Sequence, residues 1–444
     1  MAKRINVVCS GLNDVGSGLF RVGKKVYSDP NLLPGEEAIV EVEFEKKFNN
    51  ARVVKILKPS KNRIQPKCDI FEKCGGCQLL HMNNNAQKDF KINSVKDAFK
   101  EYNLKKDIDE YISASKIYQY RNKMQVAYRY INNKLVYGFY EEGSHRIIPL
   151  NKCIVQSEIQ NKIARFILEL MIKMKITAYN EDKRTGLLRF VLIKESFKTK
   201  EILVVLVTSS NVFGGRNEFV REIRNKFPEV TSIVQNINTR KTSIILGDEE
   251  RVLYGKGYIE DTILDLKFKI SSKTFYQINP EQTIKLYSKA IEYANFKDTD
   301  KVIDAYCGVG TIGMMLSKHV REIIGVESNK QSVNNAIINA KENNINNIKF
   351  VCDDATNYIF SLAKEQVKID GLIMDPPRSG STEVFLESVL KLKPKKIVYV
   401  SCNPTTLARD LKVLVKDYEI KKLALVDMFV NTFHIESVVL LEQR

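Results

Sequence analysis

The sequence predicts an α/β protein in three segments. These are a small OB-like β-barrel over residues 1–58, an α+β segment over 59–265, and an open, mostly parallel sheet flanked by helices over 266–444. Three observations carry this. Strand and helix patterns alternate through the last segment, as parallel sheets with crossover helices require. About five short alternating runs crowd into the first sixty residues, the density of a small barrel. The middle segment sets amphipathic helices beside closely spaced strand pairs, which reads as antiparallel α+β.

Within the first segment, "GSGLFRVGKKVYSD" alternates and turns at glycine, and "LLPGE" at 32–36 is a turn. The runs Ala38–Phe44 and Ala51–Leu57 flank the polar "EKKFNN", a hairpin. In the middle segment, Phe90, Ile92, Val95 and Phe99 recur at helical spacing over 85–103, and a longer amphipathic helix is expected over 154–175. Strands follow at 187–194 and 201–208, then in "TSIVQNIN" and "TSIILG". From 301 onward, five units repeat strand then turn or helix: "KVIDAYCGVGTIGMMLSKH", "EIIGVESNKQSVNNAIINAKEN", "IKFVCDDATNYIFSLAKE", "DGLIMDPPRSG" and "KKIVYVSCNPTTLARDLKVLV".

The net charge of +17 points to a polyanionic partner, and nucleic acid gains most from a basic surface by releasing its counterions. No apolar run approaches the roughly 20 residues of a membrane span. The opening "MAKRINVVCSGLND" has no signal-peptide pattern, so a cytoplasmic protein without membrane contact is expected. No obligate protein partner is implied. Small OB-type barrels often bind single-stranded nucleic acid, which agrees with the charge.

The chemistry concentrates at the carboxyl ends of the last segment's strands, where open α/β sheets bind ligands. "DAYCGVGTIG" (304–313) is a glycine turn between strand and helix; without Gly-Lys-Ser/Thr it is no phosphate loop of the Walker type. Glu327 ends the next strand, where a carboxylate can accept bonds from two ribose hydroxyls. Asp353 and Asp354 end the third strand and Asp375 the fourth. Acidic ends on successive strands resemble the S-adenosylmethionine-dependent methyltransferase fold. "MDPPRSG" (374–380) sits where amino-methyltransferases carry Asp/Asn-Pro-Pro-aromatic. Arg378 replaces the aromatic residue, which argues against methylation of an adenine amine.

Cys402, in "VSCNPTT", stands where a strand breaks; by spacing alone it is either a core thiol or a nucleophile. Carbon 5 of a pyrimidine is a poor nucleophile. A thiolate added to carbon 6 makes the ring an enolate whose carbon 5 can attack a methyl-sulfonium, which is covalent catalysis. A base must then remove the carbon-5 proton. Glu436, ahead of the apolar run Ser437–Leu441, would have a raised pKa if shielded from water and suits that task.

"SCNP", "DPPR", "DAYCGVGTIG", "FYQINP" (275–280) and "HIE" (434–436) together resemble the RumA-type 23S ribosomal RNA uracil-5-methyltransferases, within the broader TrmA-like family. The resemblance covers essentially the whole chain. It implies Cys402 as nucleophile, Glu436 as proton-abstracting base, and Gln277, Tyr306, Glu327 and Asp375 as cofactor or active-site ligands, with Thr311 and Asp354 at further cofactor positions. Asp375 faces either the uracil or the cofactor. "GSGLFRV" and "LLPGEEAIVEV" resemble the TRAM domain, the RNA-binding barrel of these enzymes. Transfer RNA is the alternative substrate, and a catalytically idle RNA-binding factor the alternative of another class.

Eight cysteines are present, and Cys68, Cys74 and Cys77 lie within ten residues in "CDIFEKCGGC". Zinc sites usually pair two short ligand motifs, and no second CxxC or HxxxH exists; residue types alone leave zinc and iron–sulfur both open. The resemblance supplies Cys153 as a distant fourth ligand and implies a [4Fe-4S] cluster of structural or RNA-holding role, since the methylation needs no electron. Cys9, Cys307 and Cys352 read as ordinary buried thiols, and His434 as a neighbour of Glu436.

Overall fold

The computed structural model describes residues 2–44, 49–141, 144, 146–241 and 244–444. The first segment forms two three-stranded antiparallel sheets, one of Ala2–Val8, Glu37–Phe44 and Asn49–Lys58, the other of Gly11–Leu12, Gly18–Val22 and Lys25–Asp29. Alternation turns Ala38, Val40 and Val42 inward onto Val7, Phe20, Tyr27 and Leu32. The two expected hairpin arms pair antiparallel, and the tip at 45–48 lies outside the described residues.

The middle segment is a seven-stranded sheet in the order Ile147–Pro149, Lys134–Tyr140, Lys123–Ile131, Leu188–Glu195, Ile202–Thr208, Val230–Ile237, Glu249–Tyr254. It is not wholly antiparallel: Ile202–Thr208 and Val230–Ile237 run parallel, joined over helix Arg216–Lys226. That helix and Glu158–Lys173 cover one face, burying Ile163, Ile167, Phe219 and Ile223. The expected strand in "TSIILG" is absent from its described residues. Side chains of Asn236 and Asn238 bond Ile244 O, Ile245 O and Gly247 N there, and the last partner is Glu249–Tyr254 instead. The hairpin at 123–140 turns at Asn132-Asn133, both at positive φ, for which an Asn pair between alternating runs is the sequence signal.

The last segment opens with the strand Leu266–Ser271, paired antiparallel with Tyr258–Ile263, and seven strands of the main sheet follow: β1 (Lys301–Ala305), β2 (Glu322–Glu327), β3 (Ile348–Cys352), β4 (Gly371–Met374), β5 (Lys396–Ser401), β6 (Tyr418–Val426) and β7 (Glu436–Gln443). Their spatial order is β3-β2-β1-β4-β5-β7-β6, with β1 to β5 parallel and β7 antiparallel to both its neighbours. The order reverses beside β1, so a crevice opens between the loops after β1 and β4.

Residues 84–112, from the middle segment, pack onto this sheet. Glu110–Ile112 pairs parallel with β6, and helix Asn84–Glu101 buries Val95, Ala98 and Phe99 in its core. Lys91, fully buried on that helix, donates to Asp427 Oδ1 (2.6 Å) and to the carbonyl of Phe429 (3.1 Å). Among the described residues no helix is long and apolar enough to cross a membrane.

Candidate active site

The turn after β1 needs left-handed backbone at Tyr306, Gly308 and Gly310. A Cβ on Gly308 would meet nothing within 4 Å, so this part of the turn faces open space. Glu327, at the end of β2, accepts the Gly308 N–H on Oε2 (3.1 Å) and the Asn329 N–H on Oε1 (2.7 Å), tying the two strand ends together. Asp304, still inside β1, accepts the Gly313 N–H on Oδ2 (2.8 Å), while its buried Oδ1 has no partner. Burial pushes this carboxyl up to about 7. Thr311 opens the short buried helix Thr311–Leu316. The Tyr306 hydroxyl reaches Ser381 Oγ (3.4 Å) and its ring tilts against Phe385. Asp354 is exposed and caps helix Ala355–Lys364, accepting the Thr356 and Asn357 N–H groups.

These features fit S-adenosylmethionine: an open glycine turn beside a carboxylate, with an unpartnered buried carboxylate oxygen beneath. The sequence reading missed Asp304, whose position inside a strand reads as ordinary core.

The candidate reacting groups Asp375, Cys402 and Glu436 stand at the ends of β4, β5 and β7. Ser401 pairs with Ser437, so Cys402, leaving β5, meets Glu436, entering β7. Burial pushes the Glu436 carboxyl up to about 8 and Asp375 up to about 7, and Asp375 adds to the rise at Glu436. Burial, then Glu436 and Asp375, push the Cys402 thiol up to about 11, while Arg378 pulls it down. Arg378 does the same for Glu436, so one guanidinium opposes both rises.

The turn holding the thiol is braced by side-chain hydrogen bonds. Ser401 Oγ accepts the Asn403 N–H (3.2 Å). The Asn403 side chain accepts from Thr405 N (3.1 Å) and donates to the Arg378 carbonyl (3.1 Å). Pro404 starts helix Pro404–Leu414, where its missing N–H costs nothing. Thr406 Oγ1 also donates to the Arg378 carbonyl (3.1 Å), so the loop after β4 and the Cys402 turn are one unit.

Gln277 lies behind, with Nε2 3.5 Å from the hydroxyl of Tyr287, a buried residue on helix Pro280–Ala294 that sequence reasoning passed over. Burial raises the Tyr287 phenol most, and Asp375 and Glu436 add to the rise, so it stands near the same cluster. His434, two residues before Glu436, packs against the aromatic residues beside it. Its ring lies on Phe433 (4.0 Å between centroids), and its Nε2 is 3.2 Å from Arg378 Nη2. Burial drops His434 to about 4, so Nε2 accepts from the guanidinium at neutral pH.

Cys402, Arg378, Asn403, Phe433 and His434 form one end of a cleft of about 900 Å³. Helix Asn84–Glu101 and the first segment, at Leu12, Asn13, Leu33 and Pro34, form its other walls.

Cys68, Cys74, Cys77 and Cys153 line a separate cavity of about 280 Å³ together with Arg121. Burial, with the neighbouring thiols, pushes Cys77 up to about 12. Among the described residues no three His, Cys, Asp or Glu converge as for a single metal ion. Four thiols around one cavity, with a buried guanidinium beside them, suit a multi-atom group that needs thiolate ligands and a counter-charge. Cys9 and Cys307 are buried as expected; Cys352 is exposed, because β3 ends there at the sheet's edge.

A crevice at the strand-order reversal, edged by the β1 turn and the β2 carboxylate, defines the class of S-adenosylmethionine-dependent methyltransferases. The chain belongs to the family described as tRNA (Uracil-5-)-methyltransferase, whose model matches residues 83–444. It is 38% identical over 439 residues to an uncharacterized RNA methyltransferase of Clostridium tetani, covering 98% of this chain and 95% of that one. It is 39% identical over 444 residues to one of Halalkalibacterium halodurans, covering 99% and 97%. Among solved structures, the Pyrococcus abyssi tRNA (uracil-54, C5)-methyltransferase in complex with S-adenosyl-L-homocysteine is similar at 29% identity and a TM-score of 0.80, covering 98% of this chain and 100% of that one.

Proposed function

We propose that this enzyme methylates carbon 5 of a specific uridine in 23S ribosomal RNA, in the cytoplasm, through a covalent bond from Cys402 to carbon 6. The observation that carries the chemistry is the convergence of Cys402 and Glu436 beside the Ser401–Ser437 rung, close enough for the carboxyl to raise the thiol. The uridine is flipped into the cleft, because carbon 6 is out of reach in a stacked helix. The Cys402 thiol gives its proton to water, the thiolate sulfur adds to carbon 6, and the carbon 5–carbon 6 double-bond electrons move onto the ring as an enolate. S-adenosylmethionine, when bound, supplies an electrophilic methyl group. Glu327 and the turn at Tyr306–Gly310 hold that donor, with Gln277, Thr311, Asp354 and Asp375 completing the walls. Glu436 then takes the carbon-5 proton; the electrons of that bond re-form the ring double bond, and the Cys402 sulfur leaves.

In this reading residues 1–58 are the RNA-gripping TRAM barrel, 59–265 the cluster-bearing segment and 266–444 the catalytic domain. Cys68, Cys74, Cys77 and Cys153 hold a [4Fe-4S] cluster. Protein purified without oxygen should be brown, with about four irons per chain; stoichiometric zinc would overturn that assignment.

A second reading is a transfer RNA uridine. It is favoured by the Pyrococcus abyssi enzyme, which is similar over 98% of this chain, so the N-terminal and cysteine-bearing segments are not peculiar to ribosomal RNA enzymes.

The test is a denaturing gel after incubation with labelled cofactor and 5-fluorouridine-substituted 23S or transfer RNA. Fluorine at carbon 5 cannot be abstracted, so an adduct should persist on the true substrate and vanish in Cys402→Ala. An adduct on transfer RNA alone selects the second reading, and no adduct on either RNA sinks the covalent mechanism.

A further inference from the structure

A second large cavity, of about 660 Å³, lies on the middle sheet, on the face opposite its two helices. We propose that it is a nucleotide subsite that takes an unstacked, non-reacting nucleotide of the RNA substrate, held by Tyr140, Tyr179, Arg184, Arg189 and Lys241. The proposal rests on the RNA-methylation reading above.

Arg189 is the key residue. It is 1% exposed, yet it lines the cavity. Nη1 donates to the carbonyls of Asn238 (2.7 Å) and Arg240 (3.0 Å), and Nη2 to both oxygens of Glu181 (3.2 and 3.1 Å). Its Nε is buried without a partner. Burying a guanidinium is costly, and a donor left unsatisfied adds to the cost.

The surroundings suit a nucleotide. Arg189 lies over the Tyr179 ring (4.8 Å) and Arg129 over the Tyr140 ring (5.6 Å). Arg129 also pairs with Glu181 (3.4 Å), so one carboxylate is shared by two guanidinium groups and positive charge is left over. On the rim, Asn180 folds the 180–185 loop: its carbonyl accepts the Arg184 N–H (2.7 Å) and its Oδ1 the N–H groups of Asp182 and Lys183. That turn presents Arg184 in solvent, and Lys241 is likewise exposed. Phosphate alone would not call for the aromatic walls, and an apolar ligand would not call for buried guanidinium. Aromatic and guanidinium planes with peripheral cations are how proteins hold single-stranded RNA bases.

Position agrees. Ala127 and Phe190, on the cavity wall, belong to the same apolar cluster as Tyr276, which is adjacent in sequence to Gln277 of the active site. Phe139 and Tyr140 form a wall shared with the four-cysteine cavity, so a nucleotide here would rest on residues that also enclose those thiols.

The test compares wild type with Arg184→Glu/Lys241→Glu, both exposed, and with a control reversal, Lys173→Glu/Lys226→Glu, on the helices of the opposite face. The subsite pair should raise KM for full-length substrate RNA by about tenfold. The loss on a short oligonucleotide carrying only the target uridine should be several-fold smaller. RNA substituted with 4-thiouridine should photocrosslink to the peptide containing Tyr140 or Tyr179. Equal losses in subsite and control variants, equal losses on long and short RNA, or no crosslink at either peptide would overturn the subsite. Absence of methyl transfer by wild type on every RNA would instead bring down the reading beneath it, while crosslinking still reports the cavity.

Discussion

Cys402 and Glu436 flank the last rung between β5 and β7: Ser401 is in register with Ser437, and the thiol follows one while the carboxyl precedes the other. The strand rung brings the two chains together, and the Ser401–Asn403 turn then presents the thiol. Glu436→Gln keeps shape and register while removing the proton acceptor. Addition to carbon 6 and methyl transfer should proceed, and release should stall. A covalent RNA adduct on natural uridine should therefore accumulate on a denaturing gel, with turnover reduced by about 10²–10⁴-fold. Free turnover in this variant would remove Glu436 from the base role.

Arg378 opposes the rise of both Cys402 and Glu436 and donates to His434 Nε2 at 3.2 Å. Arg378→Ala should raise both groups further, leaving less thiolate and less carboxylate near neutrality. Single-turnover rates should fall by about tenfold at pH 9.5, the thiolate lost when a thiol near 11 rises by one unit, and by more at pH 7.5, where Glu436 near 8 loses carboxylate as well. Arg378→Lys restores the charge without the planar fork and should recover part of the loss. A loss equal at both pH values would show that the charge of Arg378 does not act on Glu436.

Much of the catalytic half was legible because its signals are local. Strand–turn–helix alternation, the Asn-Pro cap after Cys402 and the acidic strand ends each lie within a few residues. What was hidden depends on distant pairing. Glu110 meets Ala424, and Lys91 meets Asp427, more than 300 residues apart, with no local pattern to announce either contact. Tyr287 falls on the same buried helix face as Leu286, Ala290 and Tyr293, so it reads as core until the fold brings Gln277 to its hydroxyl. The cysteine spacing left zinc and iron–sulfur open, because Arg121 and Cys153 join the set only through the fold.

The raised carboxyls make stability depend on pH. Asp375 at about 7 and Glu436 at about 8 stand above the usual carboxylate range. Between roughly pH 4 and those values the folded chain holds more protons than the unfolded chain, so stability falls as pH rises through the window and levels off above it. Glu436→Gln mimics the protonated form at every pH. Its Tm should match wild type near pH 5 and exceed it by about 2 °C or more at pH 9. A pH-independent Tm difference, by scanning calorimetry, would mean that Glu436 does not titrate in this range.

The buried pair Lys91–Asp427 locks helix Asn84–Glu101, one wall of the catalytic cleft, to the chain after β6. Asp427 also faces the Tyr111 hydroxyl, whose proton it helps retain. Lys91→Met preserves the length of the stem but strands the carboxylate in a dry site, so urea unfolding should show a loss of about 3–5 kcal/mol. Removing both charges in Lys91→Met/Asp427→Leu leaves no buried ion and should return a large part of that loss, as an apolar replacement for a buried pair usually does. Because the helix lines the cleft without touching the thiol, the single variant should weaken RNA binding more than it shifts the pH dependence of the chemical step. A double variant as unstable as the single would show that Asp427 is satisfied without Lys91, and that packing of Val95, Ala98 and Phe99 holds this wall instead.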